Sequence, residues 1–204
     1  MSVMKINEIF YSLQGEGRYT GTPAVFIRLS GCNMRCWFCD TDFTKFTEMT
    51  EEEIVTEVLR YPCHSVVITG GEPTLQLTTS LVDLLHQNGL YVMMETNGTN
   101  PLPSDCNVDW ITCSPKLEIL ADGTRQVKTI RLQHIDELKV VYEGDGKQDM
   151  SLYDCYEAQE YRLQPCDVQD PQRNQQILEQ TVNYILAHPK WKLSLQTHKI
   201  INVR

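Results

Sequence analysis

Short apolar, β-branched runs recur along this chain at intervals filled by helix-like segments, and that alternation constrains the fold more than any other feature. Residues 24–30 (AVFIRLS), 65–69 (SVVIT), 91–96 (YVMMET), 108–113 (VDWITC), 137–142 (ELKVVY), 160–164 (EYRLQ) and 191–197 (WKLSLQT) read as strands. Several are apolar almost throughout, as parallel strands are when both faces are covered. Helix signals lie between them. TEEEIVTEVLR (50–60) opens with a capping box, Thr50 with Glu53, and carries Ile54, Val55, Val58 and Leu59 on one face. LTTSLVDLLHQNG (77–89) ends at Gly89, suited to a left-handed C′ position, and QRNQQILEQTVNYILAH (172–188) has apolar pairs at helical spacing. No helix can be placed between 108–113 and 137–142. The succession predicts an α/β fold with right-handed crossovers and a parallel sheet, open or curled into a barrel.

The unusual residues fall at the ends of these strands. Cys32 follows the first, GGEP (70–73) the second, and TNGT (96–99) ends the third. SPK (114–116), QPCD (164–167) and QTHK (196–199) end three more. Ligands of α/β folds bind at the C-terminal ends of strands, so all six predict one large site on one face.

The chain has 204 residues, room for one domain spanning 1–204, and a net charge of −9. That charge argues against non-specific nucleic-acid binding, which needs clustered Lys and Arg. No apolar run is long enough to span a bilayer, and MSVMKINEIF lacks the layout of a signal peptide. The expectation is a cytoplasmic protein with reduced thiols, in which eight cysteines include metal ligands rather than a disulfide framework.

Three of them are clustered as Cys32-x3-Cys36-x2-Cys39. Structural zinc sites pair two such clusters, and no second C-x-x-C follows, while a ferredoxin-type centre wants four thiolates at other spacings. Cys63, Cys106, Cys113, Cys155 and Cys166 are scattered, as core cysteines are. A cubane with three thiolates leaves one iron open. This spacing after the first strand, with Phe38 before the last cysteine and GGEP after the second strand, resembles the radical S-adenosylmethionine (SAM) superfamily. Gly70-Gly71 alone could be a tight turn, but its place after SVVIT and before a helix favours the functional reading.

Taken together, NEIFYSLQGEGRYTGTPAVFIRLSGCN, CDT, ITGGEP, ETNGT, SPK, LQP and QTHKIINVR resemble the 7-carboxy-7-deazaguanine synthase family of that superfamily. The resemblance implies a compact, partial β/α barrel and a lyase. Its reaction is the radical ring contraction of 6-carboxy-5,6,7,8-tetrahydropterin, with loss of ammonia, on the route to 7-deazapurines such as queuosine. It implies a [4Fe-4S] cluster on Cys32, Cys36 and Cys39, with SAM contacts at Phe38, Asp40, Gly71, Glu72, Ser114, Pro115 and Lys116. Mg2+ falls at Thr41, although Asp40-Thr41-Asp42 is also ordinary turn chemistry.

The implied substrate contacts are Leu13, Gln14, Gly15, Glu16, Arg28, Thr69, His198 and Arg204. Without the resemblance LQGEG is a plain loop and His198 an ordinary satisfied histidine. Arg28 differs, because a charge within a buried strand is costly unless paired, and a guanidinium suits the substrate carboxylate. The family further implies a homodimer and an electron donor such as flavodoxin, with no nucleic-acid or membrane partner. The alternatives are a glycyl-radical-enzyme activase with the same cluster and a non-enzymatic zinc-binding module.

Overall fold

The computed structural model describes residues 3–42 and 45–204. Its strands are β1 (Val3–Leu13), β2 (Pro23–Leu29), β3 (Thr47–Thr50), β4 (Ser65–Gly70), β5 (Tyr91–Thr96), β6 (Trp110–Cys113), β7 (Leu117–Ile119), β8 (Arg125–Val127), β9 (Glu137–Tyr142), β10 (Glu160–Pro165) and β11 (Lys192–Leu193). The α-helices are α1 (Glu51–Val58), α2 (Thr79–Gln87), α3 (Pro171–Ala187) and α4 (Thr197–Ile200). Nine strands form one sheet in the order β11-β10-β9-β6-β5-β4-β2-β1-β3, and β7-β8 stand apart as a hairpin. From β2 to β11 every pairing within the large sheet is parallel, and β1 is antiparallel to both its neighbours. Among the described residues no helix is long and apolar enough to cross a membrane.

Side chains alternate across each strand, so the outward set fixes the inward one. Val25, Ile27 and Leu29 of β2, Val66 and Ile68 of β4, and Val92 and Met94 of β5 are buried with Ile54, Val58, Leu81 and Leu85 of the two helices. Leu138, Val140 and Leu163 lie in a second core, against which Tyr184 and Ile185 of α3 pack. The opposite face carries a third cluster of Phe10, Ala24, Phe26, Val67, Met93 and Trp110. Two residues further along the same inner face, toward the strand ends, come Arg28, Thr69 and Glu95.

The predicted helices form, and the capping box at Thr50 is made in both directions. Other expectations need correction. The strand expected over 191–197 pairs only at Lys192 and Leu193. Beyond it the chain turns from the sheet toward the loop before β2: Thr197 N–H and its hydroxyl both donate to Gly15 O, and Gln196 Nε2 donates to Glu16. The strand expected over 108–113 begins at Trp110, because Asp109 N–H and its carboxylate engage the backbone of Val92. Between β6 and β9, where no helix could be placed, the hairpin β7-β8 turns through Asp122-Gly123. The long β1 was missed in sequence because a register shift between Ile6 and Glu8 breaks its period of two.

Gly70 ends β4 at φ +135°, and a Cβ there would overlap the backbone of Leu29. Gly70→Ala is therefore expected to destabilise the metal-free protein by more than about 2 kcal/mol. Urea unfolding of the two proteins checks it, and an unchanged midpoint would show that the two strand ends need not touch.

Candidate functional site

One cavity of about 750 Å3 opens at the C-terminal ends of the parallel strands. All six strand-end segments singled out in the sequence contribute to it: Cys32 after β2, Gly70 and Gly71 after β4, Thr96 and Asn97 at β5, Ser114 and Lys116 after β6, Gln164 to Asp167 at β10, and Gln196, His198 and Lys199 near the C-terminus. Leu13 to Glu16 supply a further wall.

Cys32, Cys36 and Cys39 all line this cavity, each with a free thiol. Their loop is docked by backbone bonds and by the Asn33 side chain. Gly71 N–H donates to Leu29 O at 3.1 Å and Glu72 N–H to Gly31 O at 2.9 Å, and a Cβ on Gly71 would overlap Gly31 and Cys32. Asn33, inside the motif, donates to Thr99 Oγ1 at 2.8 Å and accepts from Asn97 Nδ2 at 3.0 Å. The cysteine loop is thus tied to two neighbouring strand ends.

The donor set fits an iron–sulfur cluster. Burial, the Glu72 carboxylate and the other two thiols push the Cys32 thiol up, and burial with Cys39 does the same at Cys36 against the pull of Lys116 and Lys128. Thiols that crowd one another in this way are held ionised by a strongly cationic group. Among the described residues no three His, Cys, Asp or Glu side chains converge on a point suited to one metal ion. A cluster asks for less, because each of its irons takes one thiolate.

Of the other expected residues, Phe38, Asp40, Thr41, Gly71, Ser114 and Lys116 line the cavity, as do Leu13, Gln14, Gly15, Glu16, Arg28, Thr69, His198 and Arg204. Lys116 is half-buried, with its Nζ 2.6 Å from Ser114 Oγ and 5.9 Å from the Phe38 ring centre, and desolvation holds its ammonium below the usual lysine range. Arg28 is paired, as its place in a buried strand demands: Nε donates to Glu8 at 2.8 Å, and Nη1 lies 3.5 Å from the Thr41 hydroxyl. Arg204 bonds to the other oxygen of Glu8, and Ser12 Oγ donates to its carbonyl at 2.5 Å. Gly15 lets His198 approach, since a Cβ there would overlap the imidazole.

Two expected residues are not on the wall. Pro115 is buried. Glu72 is 0% exposed, and its carboxylate already accepts four hydrogen bonds. They come from Thr74 N–H (3.1 Å) and Oγ1 (2.6 Å), Thr96 Oγ1 (2.6 Å) and Asn97 N–H (2.7 Å). Glu72 is a bracket between two strand-end loops, behind the cavity.

The sequence reading passed over Glu95 and Lys139, both on the cavity wall. Lys139 Nζ stands 2.5 Å from Glu16 Oε2 and 3.4 Å from Glu95 Oε2. The signal was present, because each is a charge within an otherwise apolar strand, the criterion that singled out Arg28.

The Radical SAM superfamily profile matches residues 26–137. Over 200 residues the chain is 52% identical to the 7-carboxy-7-deazaguanine synthase of Bacteroides thetaiotaomicron, covering 98% of both chains. It is 37% identical to the enzyme of that name from Neisseria meningitidis serogroup B, covering 96% of this chain and 92% of the relative. Among solved structures it is similar to QueE from Escherichia coli, with a TM-score of 0.77, 28% identity, and coverage of 95% of this chain and 93% of that one.

Replacing Glu72 by Gln preserves size but turns an oxygen that only accepts into an amide that donates, facing donors on every side. The expected loss is about 1–3 kcal/mol of stability in the metal-free protein. Thermal melting of Glu72→Gln checks it, and a wild-type melt would show that the bracket is idle.

Proposed function

The chain belongs to the radical SAM superfamily and, within it, to the 7-carboxy-7-deazaguanine synthases, and from that membership we propose how its own residues serve the reaction. The reaction is the ring contraction of 6-carboxy-5,6,7,8-tetrahydropterin to 7-carboxy-7-deazaguanine with loss of ammonia. Residues 1–204 are read as one catalytic domain, supported by the single large sheet that runs from β3 to β11. One observation carries the assignment of residues: three thiols, an arginine and the 13–16 loop meet in one cavity at the ends of parallel strands.

Cys32, Cys36 and Cys39 would hold the [4Fe-4S] cluster. That cluster with bound SAM supplies, on one-electron reduction, the hydrogen-abstracting chemistry. Phe38, Asp40, Gly71, Ser114 and Lys116 surround the nucleoside, with Glu72 and Pro115 shaping the loops from behind. Arg28, its Nε edge fixed by Glu8, turns terminal guanidinium nitrogens toward the substrate carboxylate. Thr41 lies within reach of that guanidinium and would offer its hydroxyl to a Mg2+, which would supply charge to orient the substrate carboxylate. Gln14, the Gly15 backbone and Glu16 face the amino and N–H edge of the pterin, and Leu13, Thr69, His198 and Arg204 close around it. A paired assembly and a flavodoxin-like one-electron donor belong to the same reading.

Anaerobic reconstitution tests it. The wild-type protein should bind iron and sulfide and, with SAM, Mg2+, reductant and carboxytetrahydropterin, release a product lighter by ammonia. Cys32→Ala should bind neither cluster nor turn over. Arg28→Ala should keep its cluster but lose roughly 2–4 kcal/mol of substrate binding, read as a raised KM. Turnover in cluster-free Cys32→Ala, or an unchanged KM in Arg28→Ala, would overturn the respective role.

A further inference from the structure

The functional reading leaves one buried charge in the cavity unassigned. Lys139, on the inner face of β9, is 4% exposed and paired with both Glu16 and Glu95. The second oxygen of each carboxylate is taken by an amide. Gln196 Nε2 donates to Glu16 Oε1 at 3.0 Å, and Gln14 Nε2 donates to Glu95 Oε1 at 2.9 Å. Gln14 Oε1 in turn accepts from Glu16 N–H at 3.1 Å. The ring so formed joins the loop before β2, β5, β9 and the segment before α4, and all five side chains line the cavity.

We propose that Lys139 is a positioning and specificity-determining residue: its ammonium, held between the Glu16 and Glu95 carboxylates, fixes them at one spacing, so that this wall offers acceptors to an N–H-rich heterocycle edge. The proposal rests on the reading of Gln14 to Glu16 as the pterin-facing wall. Two carboxylates that both reach one ammonium lie close together on a partly buried wall. Remove the ammonium, and like charge with poor solvation drives a proton onto one of them. A protonated carboxyl donates where an ionised one accepts, so it would confront the amino and ring N–H groups of the ligand with a donor.

The electrostatics agree with the geometry. Burial raises the Glu16 carboxyl, but Lys139, helped by Gln196 and His198, carries it well below the usual carboxylate range. Burial lowers the Lys139 ammonium, and Glu16 and Glu95 more than restore it. The remaining charged groups around Lys139 are Glu137 on its own strand, Arg162 opposite it on β10, and Lys116 after β6. With Lys139 in place Glu16 stays ionised through the neutral range. Without it, one carboxylate titrates there.

The test uses cluster-loaded protein with SAM and Mg2+ but no reductant. The probes are 6-carboxypterin and 6-carboxylumazine, in which an oxo group replaces the 2-amino group. Wild type should prefer the pterin at all pH values between about 5 and 8. Lys139→Met should lose about tenfold or more in pterin affinity, lose its preference, and bind more tightly as pH rises. Lys139→Met/Glu95→Gln, which removes the like charge, should recover a flat pH dependence and part of the affinity. Lys139→Arg, which keeps the cation, should stay flat and remains informative if Lys139→Met folds poorly.

A packing role alone predicts that the double variant is no better than Lys139→Met, with no pH slope, and either result overturns the proposal. Infrared spectra separate this from failure of the functional reading. A protonated-carboxyl band near neutral pH should appear in Lys139→Met and be absent from wild type and the double variant. Its absence from Lys139→Met overturns the proposal whatever binds. If the band appears but wild type binds neither probe, the pterin assignment falls and the specificity claim falls with it.

Discussion

Parity decides where every polar group of the cavity stands. Once Ile27, Ile68, Met94 and Leu138 are committed to the cores on the helix-covered side, the period of two leaves no choice on the other face. Phe26, Val67 and Met93 fill its lower tier, and Arg28, Thr69 and Glu95 follow them at the strand ends. The same rule points Glu137 and Lys139 inward from β9. A slip of one residue in β2 or β9 would exchange an arginine or a lysine for an isoleucine or a leucine. Apolar burial at mid-strand and polar display at the rim are therefore one constraint, and the outward core enforces it.

The rim then needs order that strand parity cannot supply, because the chain beyond each strand is loop. That order comes from backbone amides and from polar side chains that bond across to neighbouring loops. The amides of Gly71 and Glu72 reach back to Leu29 and Gly31, and the Glu72 carboxylate gathers Thr74, Thr96 and Asn97. Asn33 joins the cysteine loop to Asn97 and Thr99. Three strand ends thus share one hydrogen-bonded frame, and the side chains on the cavity side are left for ligands. A buried carboxylate with four donors is well satisfied, which explains how an acidic residue can sit at 0% exposure in a chain already at −9.

Much of this was legible in the residues. The strand runs, the capping box at Thr50 and the coincidence of odd residues at six strand ends led to one face of a parallel sheet. Charges inside apolar runs were legible in principle, yet the criterion met only Arg28, because ELKVVY and YVMMET read comfortably as strands with polar ends. Asp122-Gly123 carried a hairpin signal that went unused. Three features were not readable from local pattern. The bulge in β1 hides an eleven-residue strand. The end of β11 is set by Gly15, more than 170 positions away in sequence. The retreat of Glu72 from the cavity depends on partners supplied by another loop, and nothing local in GGEP encodes them.

The economy of the chain follows from where helices are missing. Among the described residues only α1, α2 and α3 lie on connections between parallel strands of the sheet; the links from β5 to β6 and β6 to β9 carry no helix, and that from β9 to β10 only a 3-10 turn at Met150–Tyr153. The cavity face is closed by other means, with the 14–17 loop and the segment after β11 bonded to each other through Gly15, Thr197, Glu16 and Gln196. Closure by loops brings backbone and amide groups to the ligand side, where helices would bring apolar stripes. It also makes the wall depend on charge pairing more than on packing. Lys139 meets its two carboxylates from different elements, and the Glu16 carboxylate it pairs with also accepts from Gln196, so the ion pair that shapes the wall shares its carboxylate with the bond that holds the C-terminal segment.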